Sequence, residues 1–288
     1  MLKRAVRGTV NTLRRWLQDE PAPSAPANFD RDETLYPWLN AQFLKIAGDG
    51  LRRRDYAWGV LQGAHLATVL GLPRISVIEF GVAGGRSLVE LERIAESTER
   101  LFSVKIDVIG FDRGEGLPKP QDHRDAPNLA VEGFFRMDQA KLRARLKRSQ
   151  LVLGSLEATI PQFVAARPAP VAFCAVDLVL YSSTVHALKL LEADAALLLP
   201  RVHCYFDDVF GFTMGDCNGE RLAITEFNAA HPRRQLSPIY GLKYFVPERW
   251  AQSQWVEKFW MAHLFDHPQY GQYDGLVKRG TLDLDQWD

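Results

Sequence analysis

Residues Ile75 to Ser87 read I-S-V-I-E-F-G-V-A-G-G-R-S, and this stretch decides the fold of the chain. An apolar run ends in Glu79, three glycines follow within a few positions, and a segment compatible with a helix begins at Ser87. The pattern predicts a strand, a tight turn and a helix. Glycine suits such a turn because a residue with a Cβ is excluded from most left-handed conformations. The helix N-terminus offers unpaired N–H groups to a carboxylate or phosphate, so the stretch predicts one wall of a nucleotide-type pocket.

Strand-like and helix-like segments alternate after this stretch. Alternation of this kind implies right-handed βαβ units and a parallel sheet covered on both faces. Two or three helices are predicted between residues 30 and 74, so the expected fold class is α/β, a doubly wound and mainly parallel sheet with extra N-terminal helices. The predicted later strands are 104–111, 151–153, 171–176, 202–206, 239–246 and 259–265; the predicted later helices are 158–166, 182–191 and 220–230.

The N-terminal segment forms a unit of its own in the sequence. Apolar residues recur at helical spacing between residues 1 and 20 among several basic residues, and a proline-rich linker follows at 21–27. We therefore divide the chain into 1–28, an amphipathic helix with its linker, and 29–288, the main domain. The helix could bind a membrane surface or serve as a targeting arm, or it could pack on its own domain or a second subunit. We favour packing, because Gly8, Thr9 and Asn11 weaken the helix.

Composition excludes several classes of protein. The chain has 288 residues, 47% of them hydrophobic, and its 35 basic residues balance 35 acidic ones, so no overall field attracts nucleic acid. Cys174, Cys204 and Cys217 follow no metal-binding spacing, which favours reduced thiols and a cytoplasmic location. No apolar run approaches the ~20 residues that span a bilayer, and charges interrupt any secretory h-region.

Acidic residues follow the predicted strands one after another. They are Glu79, Asp112, Asp177, Asp207 and Asp208. Ligands of open parallel sheets bind at the carboxyl ends of the strands, so these residues should share one rim. A carboxylate after the second strand suits the two hydroxyls of a ribose. The last three offer the hard oxygen ligands that Mg²⁺ prefers, and they would repel one another without a cation.

Other charged motifs predict solvated surface. The run Asp122-His123-Arg124-Asp125 is typical of a charged loop tip. Residues 141–148 predict a basic helix with a solvated face. The glycine loop lacks the Gly-x-Gly-x-x-Gly pattern, which disfavours a nicotinamide-dependent oxidoreductase.

Taken in order, several motifs resemble those of class I S-adenosylmethionine-dependent methyltransferases. The loop at 79–87 has the E-x-G-x-x-x-G-x-S form of the metal-dependent O-methyltransferases, and the longer match is to the macrocin O-methyltransferase-like family. The resemblance extends over about 150 residues and implies a seven-stranded Rossmann-like sheet. The further segments that carry it are 110–118, 154–161, 177–184, 206–208 and 219–224.

This resemblance also implies roles for individual residues. It implies S-adenosylmethionine and Mg²⁺ as cofactors, with a small-molecule acceptor such as a sugar. The implied cofactor-binding residues are Glu79, Gly81, Gly85, Ser87, Asp112, Ser155 and Leu156. Among them, Asp112 would bind the ribose, Ser155 and Leu156 would lie near the adenine, and Ser87 would lie near the methionine end. The implied metal ligands are Asp177, Asp207 and Asp208, and Asp177 is also the implied catalytic residue.

Two positions depart from the family pattern. The family commonly carries a second Asp, proposed as the base, where this chain has Val179, and related catechol-type enzymes carry a Lys where it has Leu180. His203 or His186 could supply a base, although each is expected to be a capped or packed histidine, and Tyr181 could face the pocket.

Two functions therefore stay open. The first is a Mg²⁺-assisted O-methyltransferase acting on a sugar or other small-molecule hydroxyl, expected to form a homo-oligomer. The second is a non-catalytic protein that binds the donor or a metal on a methyltransferase scaffold.

Overall fold

The computed structural model describes residues 35–48, 51–211 and 213–272. The helix and linker predicted for residues 1–28 lie outside these ranges, so the proposed division of the chain at residue 28 stays a prediction.

One seven-stranded sheet organises the described residues, in the order β3-β2-β1-β4-β5-β7-β6. The first five strands are parallel to one another, and β7 is antiparallel to both of its neighbours. The mainly parallel seven-stranded sheet predicted above is thereby confirmed. Its strands are β1 (Arg74–Phe80), β2 (Lys105–Asp112), β3 (Gln150–Leu153), β4 (Val171–Val176), β5 (Leu198–Phe206), β6 (Arg234–Pro238) and β7 (Phe259–Leu264).

Helices cover both faces of this sheet. The first three pack together and contact β1, β2, β4 and β5 on one face, while the last three pack together on the other. The helices are α1 (Leu35–Ile46), α2 (Arg54–Val69), α3 (Arg86–Leu101), α4 (Gln139–Arg143), α5 (Leu156–Ala165), α6 (Tyr181–Leu188) and α7 (Gly219–Ala230). None of them is long and apolar enough to cross a bilayer.

Helix α2 lies unusually close to the sheet because it carries glycine where it crosses β4. A Cβ on Gly59 would stand 2.3 Å from Cε2 of Phe173, and one on Gly63 would stand 2.9 Å from the Cβ of Ala172. The close packing directs the N-terminal end of α2, including Tyr56, toward the carboxyl ends of the strands, where Tyr56 bonds to Glu79.

A single apolar core joins the sheet to its helices. The strands supply fully or almost fully buried aromatic side chains, whose large apolar surface dominates the burial energy. These are Phe80, Phe111, Phe173, Phe206 and Phe259.

The strand predicted at 239–246 is wrong. That segment instead contains a 3₁₀ turn, Leu242–Tyr244, and the strand of this region is β6, which ends at Pro238. Gly241 has a φ of 74°, a left-handed conformation that breaks extended structure. Tyr240 and Tyr244 are 82% and 77% exposed, so the aromatic residues that suggested a strand face solvent. The basic helix predicted at 141–148 is also shorter than expected, since α4 ends at Arg143.

The strand order reverses between β1 and β4. Open α/β sheets bind ligands at such a point, beyond the carboxyl ends of the strands. Here β1 ends at Phe80 beside Val176, the last residue of β4. The glycine loop and Asp177 therefore leave the sheet side by side.

Candidate functional site

The glycine loop needs its glycines for different reasons. Gly81 has a φ of 87°, and a Cβ there would stand 1.9 Å from the carbonyl oxygen of Asp177. Gly85 has a φ of 77° and supports Leu142, whose Cδ1 would stand 2.1 Å from a Cβ at that position. Gly81 thus lets β1 and β4 end in contact, whereas Gly85 provides packing space for α4.

Asp112, the last residue of β2, holds the glycine loop in place. Its Oδ2 accepts hydrogen bonds from the backbone N–H groups of Val82 at 2.9 Å and Ala83 at 2.8 Å, and its Oδ1 accepts one from Gly114 at 2.6 Å. A carboxylate oxygen has two lone pairs, so further acceptor capacity remains for ligand hydroxyls. Asp112 therefore both shapes the loop and faces the cavity beside it.

A cavity of about 600 Å³ opens at the carboxyl ends of β1 to β5. This volume lies in the range of small-molecule sites, and the cavity joins the glycine loop to the acidic rim. The sequence-predicted residues in its lining are Gly81, Asp112, Ser155, Leu156, Asp177, Asp207 and Asp208. Glu79, Gly85 and Ser87 are not part of the lining.

Three aspartates form the acidic rim, defined as Asp177, Asp207 and Asp208. Burial and the neighbouring charges of Asp207 and Asp208 raise the pKa of Asp177 to about 8. Burial and Asp207 raise the pKa of Asp208 to about 6. A carboxylate whose pKa rises through like-charge repulsion is stabilised in its ionised form by an added cation.

Asp207 is the member of the acidic rim that already has a cationic partner. Its Oδ1 accepts hydrogen bonds from the Tyr205 hydroxyl at 2.7 Å and from Lys258 Nζ at 3.1 Å. Lys258 also donates to the Asp207 main-chain oxygen at 2.6 Å. Although burial acts in the opposite direction, these partners hold the pKa of Asp207 below its usual value.

Glu220 on α7 joins the two loops that carry the rim. Its Oε2 accepts from the backbone N–H of Asp208 at 2.9 Å, and its Oε1 accepts from that of Leu178 at 3.4 Å. The side chain is fully buried, and burial together with the charge of Asp208 raises its pKa. Glu220 therefore fixes the loops after β4 and β5 relative to each other.

The rim fits Mg²⁺ by the chemistry of its ligands. Carboxylate oxygens suit a hard divalent ion, and the pKa values of Asp177 and Asp208 are raised by burial and by the neighbouring carboxylates. In the described residues, however, no group of three or more His, Cys, Asp or Glu side chains is arranged to hold a metal ion as it stands. The side chains would have to shift to surround one.

Val179 is strained where the family pattern has an acidic residue. Its φ is 59°, an outlier for a β-branched residue, and the Leu180 N–H donates to the Leu178 carbonyl at 2.5 Å across it. The Val179 N–H donates to Oδ2 of Asp208 at 2.9 Å. Val179 lines the cavity, whereas Leu180 is fully buried. Strain of this kind occurs at functional sites.

The two histidines considered as bases differ in position. His203 lies in β5 with its ring 5.5 Å from that of Trp58, and burial lowers its pKa to about 3, so it is a packed neutral histidine. His186 lines the cavity with Ser182 and Ser183 on the same face of α6. Its Nδ1 is buried without a hydrogen-bond partner in the described residues. Tyr181 faces elsewhere, since its hydroxyl donates to Glu226 at 2.5 Å.

A loop covers one side of the cavity; we define this covering loop as residues 113–138. Its base is closed by backbone bonds between Leu117 and the segment at Gly133 and Phe134. Its Gly116, Leu117, Pro118, Gln121 and Phe135 line the cavity.

Asp125 anchors the covering loop to α6. Its Oδ1 accepts from the Ser182 N–H at 2.8 Å, and its Oδ2 accepts from the Ser182 hydroxyl at 3.1 Å and the Gln121 N–H at 2.8 Å. Residues 122–125 were predicted to form a charged, solvent-exposed loop tip. This prediction is correct for Asp122, which is exposed, but wrong for Asp125, which is only 1% exposed.

Several residues of the site escape sequence reasoning. They contribute from segments far away in the chain: Arg53 and Tyr56 from the start of α2, Asp125 from the covering loop, and Lys258 from the segment before β7. Glu220 lies in the motif at 219–224 that carried part of the resemblance, so its motif was recognised although its role was not.

No protein-family model matches this sequence, and no curated protein matches it. Solved structures do match. The O-methyltransferase NovP is 15% identical with a TM-score of 0.48, and 70% of this chain and 92% of that chain are covered. The calicheamicin methyltransferase CalS11 is 21% identical with a TM-score of 0.45, covering 78% of this chain and 95% of that one. An O-methyltransferase from Bacillus cereus in complex with SAH is 18% identical with a TM-score of 0.35, covering 74% and 84%.

Proposed function

We propose that this protein is an S-adenosylmethionine-dependent O-methyltransferase that methylates a hydroxyl of a sugar or another small molecule, with Mg²⁺ assisting at the acidic rim. One observation carries the proposal: a single cavity at the switch point of the sheet joins a glycine loop, a strand-end aspartate and three further aspartates.

The donor end of the cavity suits an adenosine. Asp112 retains acceptor capacity for ribose hydroxyls, and Gly154, Ser155 and Leu156 provide a polar and apolar wall for a flat base. Gly81 also lines this end of the cavity.

The acceptor end is the acidic rim. In the proposed reaction an acceptor oxygen attacks the methyl carbon of the donor in line with the carbon–sulfur bond. The oxygen–carbon bond forms, the carbon–sulfur bond breaks with its electron pair left on the sulfur of S-adenosylhomocysteine, and the hydroxyl proton passes to the ionised Asp177 carboxylate. This chain would contribute orientation, exclusion of water by the covering loop, and the Asp177 carboxylate facing the acceptor hydroxyl. A bound Mg²⁺ ion would supply charge that lowers the pKa of that hydroxyl.

Location and assembly are part of the proposal. We place the protein in the cytoplasm because Cys174 and Cys204 are free thiols side by side on β4 and β5. We also propose a homo-oligomer without nucleic-acid partners.

Calorimetric titration with S-adenosylmethionine, with and without Mg²⁺, tests the donor site. We expect saturable binding in the wild type, and no binding in either condition would refute the donor assignment. If the donor binds, a methyl-transfer screen against sugars and phenols follows. Donor binding without any product would favour a non-catalytic binding protein, the function suggested by Val179 and Leu180 at the family's base positions.

The Asp207→Asn variant tests the metal assignment. We expect it to lose any Mg²⁺ dependence, whereas Asp216→Asn, an exposed aspartate paired with Arg221, should retain it. If the wild type is active without added metal and Asp207→Asn has the same activity, the rim does not act through Mg²⁺.

A further inference from the structure

A second cavity, of about 460 Å³, lies toward the amino-terminal ends of β1 and β2. The sheet forms one side of it, and α5 with the chain that follows α5 forms the other. We call it the edge groove and define it by Ser76, Asp107 and Val152 of the sheet and by Thr159, Gln162 and Phe163 of α5. Its volume lies in the range of small-molecule sites, so it can hold more than a single water molecule.

The edge groove is separate from the candidate site. None of its lining residues lines the cavity at the carboxyl ends of the strands. Ser76 comes four residues before Phe80, the last residue of β1, which corresponds to about 13 Å along an extended strand. A ligand in the edge groove would therefore occupy neither the donor end nor the acceptor end of the other cavity.

Ser76 places a buried hydroxyl on the wall of the edge groove. The residue is 0% exposed, and its Oγ has no hydrogen-bond partner in the part of the chain that the structure describes. Its backbone N–H donates to the Pro170 carbonyl at 2.9 Å, so the unsatisfied group is the side chain. A buried hydroxyl without a partner is unfavourable, and native proteins generally supply one from water or a ligand.

The charged groups that line the edge groove are already paired. Nε and Nη2 of Arg74 each donate to one carboxylate oxygen of Asp107 at 2.7 Å. Nη1 and Nη2 of Arg148 donate to the two carboxylate oxygens of Glu99 at 3.0 and 2.8 Å. The two pairs cancel in charge, so an ion that entered the groove would stay unpaired unless it displaced one of these partners. The groove therefore favours an uncharged ligand.

The remaining walls are mostly apolar. Val152 and Phe163 line the groove, and Phe163 is held in place by an edge-to-face contact with Phe111 at 5.3 Å between ring centres. The Thr159 hydroxyl donates to the Ser155 carbonyl at 3.0 Å, so its hydrogen is already committed. Ser76 therefore supplies the free hydroxyl donor within an otherwise apolar and charge-neutral pocket.

We propose that the edge groove binds a small uncharged molecule that carries a hydroxyl group on an apolar body. The ligand hydroxyl bonds to Ser76 Oγ, and the apolar body packs against Val152 and Phe163. A hydroxyl fits because it both donates and accepts, as Ser76 does. This site is additional to the proposed donor and acceptor sites and does not depend on methyl transfer.

The experiment is an NMR titration of the full-length protein with methyl-labelled Ile, Leu and Val. The probes are benzyl alcohol, toluene, which lacks the hydroxyl, and benzoate, which carries a charge. We expect benzyl alcohol at millimolar concentration to shift the methyl signals of Ile109 and Val152 in the edge groove but not those of Val179 in the other cavity. Toluene should bind about 3- to 10-fold more weakly, and benzoate should leave these signals unchanged.

Ser76→Ala tests the hydroxyl. It should weaken benzyl alcohol about 3- to 10-fold, the worth of one hydrogen bond between uncharged groups, and leave toluene unchanged. The free variant should keep or raise the thermal unfolding midpoint, because its hydroxyl loses no partner. Ser103→Ala, at an exposed serine outside the groove, is the matched control and should bind both probes as the wild type does.

Ala166→Trp tests the groove without touching the sheet, because Ala166 lines it from an exposed position. The larger side chain should block benzyl alcohol and toluene alike.

Unshifted Ile109 and Val152 signals would mean that the groove holds water only, and would refute the proposal. Shifts confined to Val179, or equal affinity of benzyl alcohol for the wild type and Ser76→Ala, would also overturn it. A lower thermal midpoint in Ser76→Ala would show that the hydroxyl already has a partner in the free protein. None of these outcomes bears on the proposed O-methyltransferase function, which the donor titration tests separately.

Discussion

Asp112 holds the glycine loop and lines the cavity with the same side chain. Its carboxylate accepts three backbone N–H groups of the loops that follow β1 and β2. The residue predicted from sequence as a ribose ligand is therefore also the group that shapes the glycine loop. A substitution at this position must be judged by both binding and stability.

We predict that Asp112→Asn weakens donor binding about 10- to 100-fold, because a charged acceptor is replaced by a neutral one that retains a single oxygen. Calorimetry measures the affinity, and thermal unfolding shows how much of the loss comes from the loop. Asp107→Asn is the control, since Asp107 lies on the same strand at the opposite end and pairs with Arg74. Donor affinity unchanged in Asp112→Asn would contradict the ribose assignment.

Glu79 gives the donor site a pH dependence. Burial raises its pKa to about 7, against the opposing effects of Ser87, Arg53 and Tyr56, while nearby Asp55 adds to the rise. In the free protein Glu79 therefore carries a proton below about pH 7, and the ammonium group of the proposed donor would be attracted only by its ionised form. Donor affinity should fall as the pH drops below 7 and level off above it.

This prediction can be measured by titrating S-adenosylhomocysteine between pH 6 and 8. Titrations in buffers of different ionisation enthalpy should reveal proton release on binding near pH 6. The slope should become smaller in Glu79→Gln but not vanish, because Asp177 and Asp208, with pKa values raised to about 8 and about 6, titrate in the same range. A flat wild-type profile would mean that Glu79 does not contact the ammonium group.

Among the larger elements, the covering loop depends on one buried carboxylate. Asp125 joins it to the first turn of α6 through two hydrogen bonds from Ser182 and accepts a third from Gln121 within the loop, and Arg124 of the same loop lies 4.6 Å from the Tyr181 ring. These contacts hold the covering loop, which connects β2 to α4, over the cavity.

We predict that Asp125→Ala destabilises the protein by about 2 to 4 kcal/mol, because it removes hydrogen bonds to a charged acceptor and leaves buried donors unpaired. Chemical denaturation measures the loss, and limited proteolysis should cut within residues 113–138 faster. Asp122→Ala, which removes exposed hydrogen bonds to Arg124 in the same loop, should change both much less. Equal cleavage rates in Asp125→Ala and the wild type would show that the loop is held by other contacts.

At the level of the whole molecule, the cavity draws its walls from loops after five different strands. A ligand bound there contacts segments whose positions depend on the entire sheet, so binding stabilises the fold as a unit. The continuous core from α1 to β7 supports the same expectation.

We predict that S-adenosylmethionine at 100 times its dissociation constant stabilises the protein by about 2.7 kcal/mol and raises the thermal midpoint by roughly 5 to 10 °C. Scanning calorimetry measures the shift, and Asp112→Asn should need more donor to reach it. A midpoint that does not respond to donor concentrations that saturate binding would contradict this coupling.

Much of the architecture could be predicted because it depends on local patterns. The stretch from Ile75 to Ser87 predicted β1, the turn and α3, since apolar runs and glycines specify backbone conformation over a few residues. Acidic residues after successive strands could be placed on one rim, because parallel strands end at the same edge. The prediction of a strand at 239–246 was wrong because aromatic composition does not distinguish a strand from an exposed turn.

Partners brought from distant segments could be found only in the tertiary structure. The sequence placed Glu79 at the head of the glycine loop, but its contact with Tyr56, the nearby Arg53 and the Lys258 partner of Asp207 depend on how α2 and the segment before β7 pack on the sheet. Local patterns determine backbone geometry, whereas the pairing of buried charges depends on which faces meet in the folded core. The glycine-loop wall of the cavity could therefore be predicted from the chain, whereas the buried charged groups around it were decided by packing.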